Sequence, residues 1–186
     1  MVKAALVAVA LFLVPGVAAA AQDANPYAGW QDRPIKALSP QQIEDLSVGR
    51  GMGLALAAEL NGYPGPRHVL DLAEALGLSP AQRGAVESLF AEMQSEAQGL
   101  GREILMREAQ LDRIFREGAV TEENLREEVA ALGDLQGRLR FAHLRYHLST
   151  RALLNDQQVA LYDRLRGYGP NAGDGAAPVH EHHGRH

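Results

Sequence analysis

The chain contains no cysteine, which excludes disulfide bonds, a cysteine nucleophile and a lipid anchor on cysteine. Aromatic residues make up only 5% of the sequence, and 18 Lys and Arg stand against 23 Asp and Glu. An acidic balance argues against a nucleic acid partner, because phosphate binding needs concentrated positive charge. The sequence also lacks a Gly-x-Ser-x-Gly motif, a His-Glu-x-x-His motif and a phosphate loop. We therefore predict a protein that is not an enzyme.

Residues 1–21 have the pattern of a secretory signal peptide. Lys3 precedes an apolar run from Ala4 to Val14, and three alanines ending at Ala21 offer a small-residue cleavage site. The apolar run is too short to span a bilayer stably as a mature helix. We expect an exported protein, soluble in the periplasm and without stable membrane insertion. Anchoring in the inner membrane is the alternative.

A motif of Leu, Ser or Asn, two further residues and Gln occurs three times. In each copy a strong N-cap residue is followed three positions later by Gln, which is the spacing of a capping box. Two copies also carry Pro at the first helical position, where a missing N–H costs nothing. We expect loss of a cap serine to cost about 1 kcal/mol and loss of the Gln somewhat less. The copies are Leu38 to Gln42, Leu78 to Gln82 and Leu154 to Gln158.

Apolar residues recur at helical spacing through most of the chain, and Ala, Leu, Glu, Arg and Gln dominate the composition. We predict an all-α fold: a long antiparallel helical hairpin with additional short helices. The pattern leaves open whether the hairpin is curved and whether it forms a homodimer. Gly49, Gly51 and Gly53 are expected to mark a kink or close packing within the first helix. The predicted helices are Pro40 to Leu60, Arg67 to Leu76, Pro80 to about Glu117, the helix capped by Thr121, and Asp156 to about Arg166.

The apolar seams of the two long helices predict the core. One stretch carries more apolar surface than its seam needs, because Phe141, Leu144 and Leu148 lie off the line that carries Ala142 and Tyr146. A helix that is hydrophobic on two sides must bury both. Packing of the first helix is the favoured cover, and a dimer interface is the other. The seam residues are Val86, Leu89, Phe90, Met93, Ala97, Leu100, Ile104, Leu111, Ile114 and Phe115, then Leu125, Val129, Leu132, Leu135, Leu139, Ala142, Tyr146 and Leu153; the last helix is expected to bury Val159, Leu161, Tyr162 and Leu165.

Composition divides the chain outside the signal peptide into three parts. Residues 22–37 hold Pro and Gly without periodicity and are expected to form an extended arm. Residues 38–168 carry the helical patterns and form the domain. Residues 169–186 consist largely of Gly, Pro, Ala and His, a composition typical of a disordered tail.

The second and third motifs bracket the long helical stretch and resemble the paired LTxxQ motifs of the periplasmic Spy/CpxP family. The resemblance covers roughly residues 66–168. It implies a small all-α envelope stress protein that acts as an ATP-independent chaperone, as a modulator of an envelope sensor protein, or as a metal binder. The metal-binding branches of that family include ZraP-like zinc-associated proteins and CnrX-like metal sensors.

The first functional hypothesis is a chaperone that holds unfolded or partly folded periplasmic proteins. The helical region from residue 133 to 166 has 6 Arg and 3 Asp, whereas residues 80–132 have 6 Arg and 11 Asp or Glu. A basic, partly apolar half suits an unfolded client, although such a charge pattern also fits an ordinary solvated face. The expected contacts are exposed Leu and Phe side chains rimmed by Arg138, Arg145 and Arg151.

The alternative is a sensor or buffer for Zn, Ni or Cu; no cofactor is expected to be required. His143 and His147 are four residues apart, so both imidazoles project from one helix face and could share a metal ion. The resemblance to the CnrX-like branch, which has a His followed four residues later by Met on this helix, supports His147. The His-x-x-x-His pair that the same branch has on its first helix is absent, since Leu72 follows His68 at that spacing. Packing against neighbouring helices is the competing interpretation of the pair. The terminal cluster is expected to bind metal weakly and with little selectivity, which suits a buffer, and a solvated tail without selected function is the competing interpretation; the cluster comprises His180, His182, His183 and His186.

Overall fold

The structure, a computed structural model, describes residues 26–168 and is all-α, with no strand among those residues. This confirms the predicted fold class. The signal peptide predicted for residues 1–21 and the tail predicted for residues 169–186 lie outside the described residues. The helices are α1 (Pro40–Val48), α2 (Leu56–Glu59), α3 (Pro66–Asp71), α4 (Pro80–Arg116), α5 (Glu122–Leu153) and α6 (Asp156–Arg166).

Helices α4 and α5 form the predicted antiparallel hairpin. Ion pairs bridge them at two levels, Arg145 with Glu96 and Arg107 with Glu128, so the helices run in opposite directions. Between them lies the main core, into which α1 inserts Leu46. A second core forms where α3 and α6 meet the start of α4. That second core comprises Val69, Leu76, Val86, Leu154, Val159 and Tyr162.

The predicted capping boxes are all present. At each of the caps Ser39, Ser79 and Asn155, the cap side chain accepts the N–H of the Gln three residues later, and that Gln side chain accepts the cap N–H. Thr121 forms the same arrangement with Asn124 at the start of α5. Each box satisfies two backbone donors that a helix start leaves without partners. The starts of the four helices were therefore predictable from local sequence.

The predicted first helix is not continuous. It ends at Val48, because Gly49 adopts the left-handed conformation with φ 71°, and α2 begins only at Leu56. Gly49 also shows the close packing expected of the glycines at 49–53, and Gly101 of α4 allows a second close approach of α1. A Cβ on Gly49 would lie 3.1 Å from the Ala97 Cβ, and a Cβ on Gly101 would lie 2.0 Å from the Leu46 carbonyl oxygen.

Several seam predictions hold and three fail. Val86, Met93, Ala97 and the other central positions of α4 and α5 are buried. Phe115 and Val129 are exposed, because the residues just before them take the inner face of the hairpin: Ile114 is buried, and Glu128 pairs with Arg107 of α4. Leu165 is exposed on the outer side of α6, which contacts the core through Val159 and Tyr162.

The region expected to be an extended arm contains turns and a short 3-10 helix, Trp30–Asp32. Ile35 is buried. Lys36 forms an ion pair with Asp112 of α4 at 3.2 Å. The segment before α1 is thus held against the hairpin by the ion pair of Lys36, and its Leu38 packs against the main core.

Candidate functional site

A cleft of about 600 Å³ lies between the chain segment 48–68 and the middle of the hairpin. Its floor comes from α4 and α5, and its rim comes from the glycine-containing turn that replaces the predicted helix. The apolar part of the lining includes Val48, Met52, Leu56, Phe90 and Met93, and the polar part includes Arg50, Glu59, Arg67, His68, Gln94, His143 and His147.

Glu59 is the centre of the polar side of this cleft. Its side chain is buried, and one carboxylate oxygen accepts hydrogen bonds from the Tyr162 hydroxyl and from Nδ1 of His68, the latter at 3.2 Å. The other oxygen accepts the Gly65 N–H at 3.1 Å. Nε of Arg166 lies 3.6 Å from the first oxygen, the one that accepts from Tyr162 and His68. Glu59 therefore joins α2, α3 and α6 through one carboxylate.

The environment keeps Glu59 ionised. Burial alone would raise the pKa of a carboxyl, but hydrogen bonds from His68 and Tyr162, the charge of His68 and the Gly65 N–H together lower the pKa of Glu59 to about 2. Conversely, burial and the neighbouring Glu59 carboxylate raise the pKa of Tyr162, so its hydroxyl stays protonated as a donor. A buried charge of this kind is tolerated because it is fully hydrogen-bonded.

His147 is held in the wall of the cleft by the backbone that faces it. Its Nδ1 hydrogen-bonds with the Tyr63 carbonyl at 2.7 Å, which requires the proton on Nδ1. Its Nε2 packs against Gly65, where a Cβ would approach to 2.8 Å. The side chain thus does what the packing interpretation expected, joining α5 to the loop between α2 and α3.

His143 lies one turn earlier on the same face and is also buried. Within residues 26–168 its Nε2 has no hydrogen-bond partner. Burial, and secondarily the neighbouring His147, lower the pKa of His143, while Glu96 acts in the opposite direction. The imidazole is therefore neutral near pH 7 and has an unused hydrogen-bonding atom.

The metal-site prediction placed His143 and His147 together, and the structure brings both to one cleft with His68. Among the described residues, no group of three or more His, Asp or Glu side chains is arranged to hold a metal ion. The tail residues His180, His182, His183 and His186 lie outside the described part of the chain. Metal binding by these residues stays a prediction.

The surplus apolar surface predicted on α5 is real, but the favoured cover for it is wrong. Phe141 is 62% exposed and Leu148 is 57% exposed, with Leu144 half-buried between them. Helix α1 packs against α4 instead, at Gly101 and Ala97. We call Phe141, Leu144 and Leu148 the α5 stripe; no helix of the described chain covers it.

The three arginines expected to rim a client surface are each paired in the described chain. Arg145 bonds with Glu96, and Arg151 bonds with Asp156. Arg138 lies 3.7 Å from Asp134. Arg138 and Arg145 are near the α5 stripe by helical spacing, three residues before Phe141 and three before Leu148. Glu96 is half-buried and the other three side chains of these two pairs are exposed, so the pairs contribute little to stability.

Sequence reasoning missed Glu59, the most connected side chain at the site. A signal was present, because Glu59 is the only charged residue between Gly51 and Leu60. A single charge in an apolar segment indicates a buried, paired group. Its partners His68 and Tyr162 lie 9 and 103 residues away, so the pairing itself could not be read from local pattern.

Comparison with known proteins gives no relative: no family model, no curated protein and no solved structure matches this chain. Across residues 26–168, the helices are all too short or too polar to cross a membrane.

Proposed function

We propose that this protein is a non-catalytic binding protein of the periplasm that holds partly unfolded proteins without ATP. The observation that supports it is the uncovered α5 stripe. Large apolar side chains of a folded domain are usually buried, and a contiguous group left exposed commonly serves as an interaction site. The paired motifs and the signal-peptide pattern, which resemble those of the Spy/CpxP family, agree with this proposal.

The chemistry of the stripe suits an unfolded client. Phe141 and Leu148 offer apolar contact to the hydrophobic segments that an unfolded chain exposes. Arg138 and Arg145 flank these contacts with positive charge. The stripe lies within residues 133–166, which carry 6 Arg and 3 Asp, and attraction between opposite charges speeds encounter with acidic clients.

Aggregation of a chemically denatured client, followed by light scattering, tests the proposal. We expect the protein to suppress scattering at a few-fold molar excess. The double variant Phe141→Ser/Leu148→Ser should lose most of the suppression. The matched control is Phe115→Ser, which changes an exposed Phe at the hairpin tip and should leave suppression intact. No suppression by the unaltered protein would refute the proposal.

Oligomeric state must be measured in the same samples, because a second copy of the chain is the competing occupant of the stripe. Light scattering coupled to size-exclusion chromatography gives the mass directly. A dimer that dissociates in the Phe141→Ser/Leu148→Ser variant, together with no effect on client aggregation, would assign the stripe to self-association instead.

A second candidate function is binding of Zn, Ni or Cu, and the unpartnered Nε2 of His143 favours it. Neutral imidazole is the form that ligates these metals. Calorimetric titration should show binding that His143→Ala weakens. Deletion of residues 178–186 should remove a separate, weaker class of sites. Absence of heat at micromolar metal would refute this candidate without bearing on the chaperone proposal.

A further inference from the structure

The cleft beside Glu59 is a surface separate from the α5 stripe, because it opens on a different face of α5. Residues His143 and His147 line the cleft, whereas Phe141, Leu144 and Leu148 point about 110° away around the helix axis by helical geometry. Its volume of about 600 Å³ lies within the range of small-molecule binding sites. The two surfaces can therefore be tested independently.

The apolar side of the cleft is built from adaptable side chains. Met93 and Phe90 of α4 form part of the floor, and Met52 and Leu56 stand at the rim. Met52 and Leu56 remain 40% and 53% exposed, so a ligand in the cleft would cover apolar surface that is now in water. Methionine fills irregular shapes readily because its side chain is unbranched and polarizable.

An anion would find no unused positive charge in the cleft. Arg50 is bound to Glu44 at 2.8 Å and to Asp45 at 2.7 Å. Arg67 is bound to Asp71 at 3.0 Å. Each cation on the rim therefore already has a carboxylate partner within the described chain.

A cation would find no unused negative charge either. Glu59 is the only carboxylate among the lining residues, and both of its oxygens accept hydrogen bonds, from Tyr162, His68 and Gly65. With both signs of charge already paired, the cleft favours an uncharged occupant, which loses less hydration on entering an apolar site.

One polar feature remains unused. The imidazole of His143 lines the cleft; its Nε2 is buried without a partner among residues 26–168, and its Nδ1 is the ring nitrogen that faces Gly51. Buried polar atoms without a partner are rare in folded proteins. Gly51 lies next to the same ring, and a Cβ on Gly51 would lie 3.9 Å from Nδ1 of His143. Beside Gly51, Met52 holds a positive φ of 43°, and residues held in such strained conformations cluster at active sites and ligand contacts.

We propose that this cleft binds an uncharged, mainly apolar small molecule that carries one hydroxyl or carbonyl group. The apolar body contacts Met52, Leu56 and Met93. The single polar group hydrogen-bonds with the His143 imidazole, and the glycine turn adjusts around the ligand. This function is separate from client binding by the α5 stripe.

Titration of the full chain with the uncharged dye Nile red tests the proposal. We expect saturable binding of one dye per chain, with the blue shift of an apolar environment. Three naphthalene derivatives then serve as competitors of similar size: naphthol, which is uncharged at pH 7, the anion naphthoate and the cation naphthylmethylammonium. Naphthol should displace the dye at a concentration about tenfold or more below that of either charged derivative.

Variants locate the dye. Gly51→Leu fills the cleft from its rim without removing a core side chain, and it should weaken dye binding at least about tenfold. The control Gly137→Leu places the same side chain at an exposed helical glycine with open space around it and should leave binding unchanged. Leu56→Asn should weaken binding, whereas Leu60→Asn should not, because Leu60 is equally exposed but does not line the cleft.

Three results would overturn the proposal. The first is absence of saturable dye binding. The second is equal displacement by charged and uncharged competitors. The third is dye binding that survives in Gly51→Leu but disappears in Phe141→Ser/Leu148→Ser, which would place the dye on the α5 stripe.

Discussion

The side-chain amides of Gln82 and Gln158 bond to each other in both directions. Nε2 of Gln82 donates to the side-chain oxygen Oε1 of Gln158 at 2.9 Å, and Nε2 of Gln158 donates to Oε1 of Gln82 at 3.2 Å. Gln82 also donates to the Leu153 backbone carbonyl at 2.8 Å. Each Gln simultaneously completes its own capping box. The two motifs therefore join the start of α4 to the start of α6 as well as beginning those helices.

This amide pair changes what is expected of the Gln variants. From the capping box alone, Gln82→Ala is expected to lower the free energy of unfolding by less than Ser79→Ala, because the bond of Gln82 to the cap N–H is partly exposed. With the pair included, Gln82→Ala and Gln158→Ala should each cost about 1–2 kcal/mol. Gln42→Ala is the control, since Gln42 forms a capping box but is exposed, and it should cost about 0.5 kcal/mol.

A double-mutant cycle on urea unfolding separates the two roles. The double variant should lose less free energy of unfolding than the sum of the losses in Gln82→Ala and Gln158→Ala. We expect this difference to be roughly 0.5 kcal/mol or more. Strict additivity would mean that the amide pair contributes nothing beyond the two caps.

Two glycines in α4 should respond oppositely to alanine. Gly99→Ala should raise the free energy of unfolding by up to about 1 kcal/mol, because alanine favours the helix and no atom lies within 4 Å of the new Cβ. Gly101→Ala should destabilise by about 1–3 kcal/mol, since its Cβ would meet the Leu46 carbonyl oxygen and force α1 away. Thermal unfolding followed by circular dichroism measures both. A stabilising Gly101→Ala would show that α1 does not pack where the structure has it.

Glu59 should make stability sensitive to acid. Its folded-state pKa is about 2, below the ordinary value of 4.5, so the unfolded chain binds the proton more tightly. The contribution of Glu59 is therefore fully present above pH 4.5 and is lost as pH falls toward 2. Glu59→Gln should lower the free energy of unfolding at pH 7 by about 2 kcal/mol and flatten its dependence on pH in this window. The control is Glu87→Gln, because Glu87 is an exposed carboxylate that pairs with Arg83. This variant should change neither the free energy of unfolding at pH 7 nor its dependence on pH.

His143 should add a second acid-sensitive step at higher pH. Because its folded-state pKa is lowered from 6.5, protonation favours the unfolded chain, and stability falls as pH drops below 6.5. His143→Gln should remove that part of the pH dependence while leaving the Glu59 step in place. Urea unfolding at a series of pH values measures it. An unchanged pH profile in His143→Gln would show that the buried imidazole does not titrate in this range.

The helix starts and the hairpin could be predicted from sequence because their determinants are local. Ser79 and Gln82 are three residues apart, and the seam through Ala97, Leu100 and Ile104 is periodic within one helix. The break after Val48 was harder to place. Glycines at 49, 51 and 53 suit either a kinked helix or a turn, and only tertiary packing against Ala97 selects the turn.

The candidate site depended on contacts that are distant in sequence. Glu59 meets Tyr162, and His147 meets the Tyr63 carbonyl 84 residues away; no local pattern encodes either pairing. The exposed Phe141 was anticipated as surplus apolar surface, but its cover was assigned wrongly. Periodicity shows how many apolar faces a helix has and does not show which neighbour lies on each.

Site-specific photo-crosslinking tests client binding at the α5 stripe most directly. A photoreactive phenylalanine derivative replaces Phe141 in one variant and Phe115, the exposed Phe at the hairpin tip, in another. Each variant is irradiated with a denatured client under conditions in which the protein suppresses aggregation. We expect crosslinks to the client from position 141 and few from position 115. Equal crosslinking from both positions, or crosslinking from 115 alone, would contradict the assignment of client binding to the stripe.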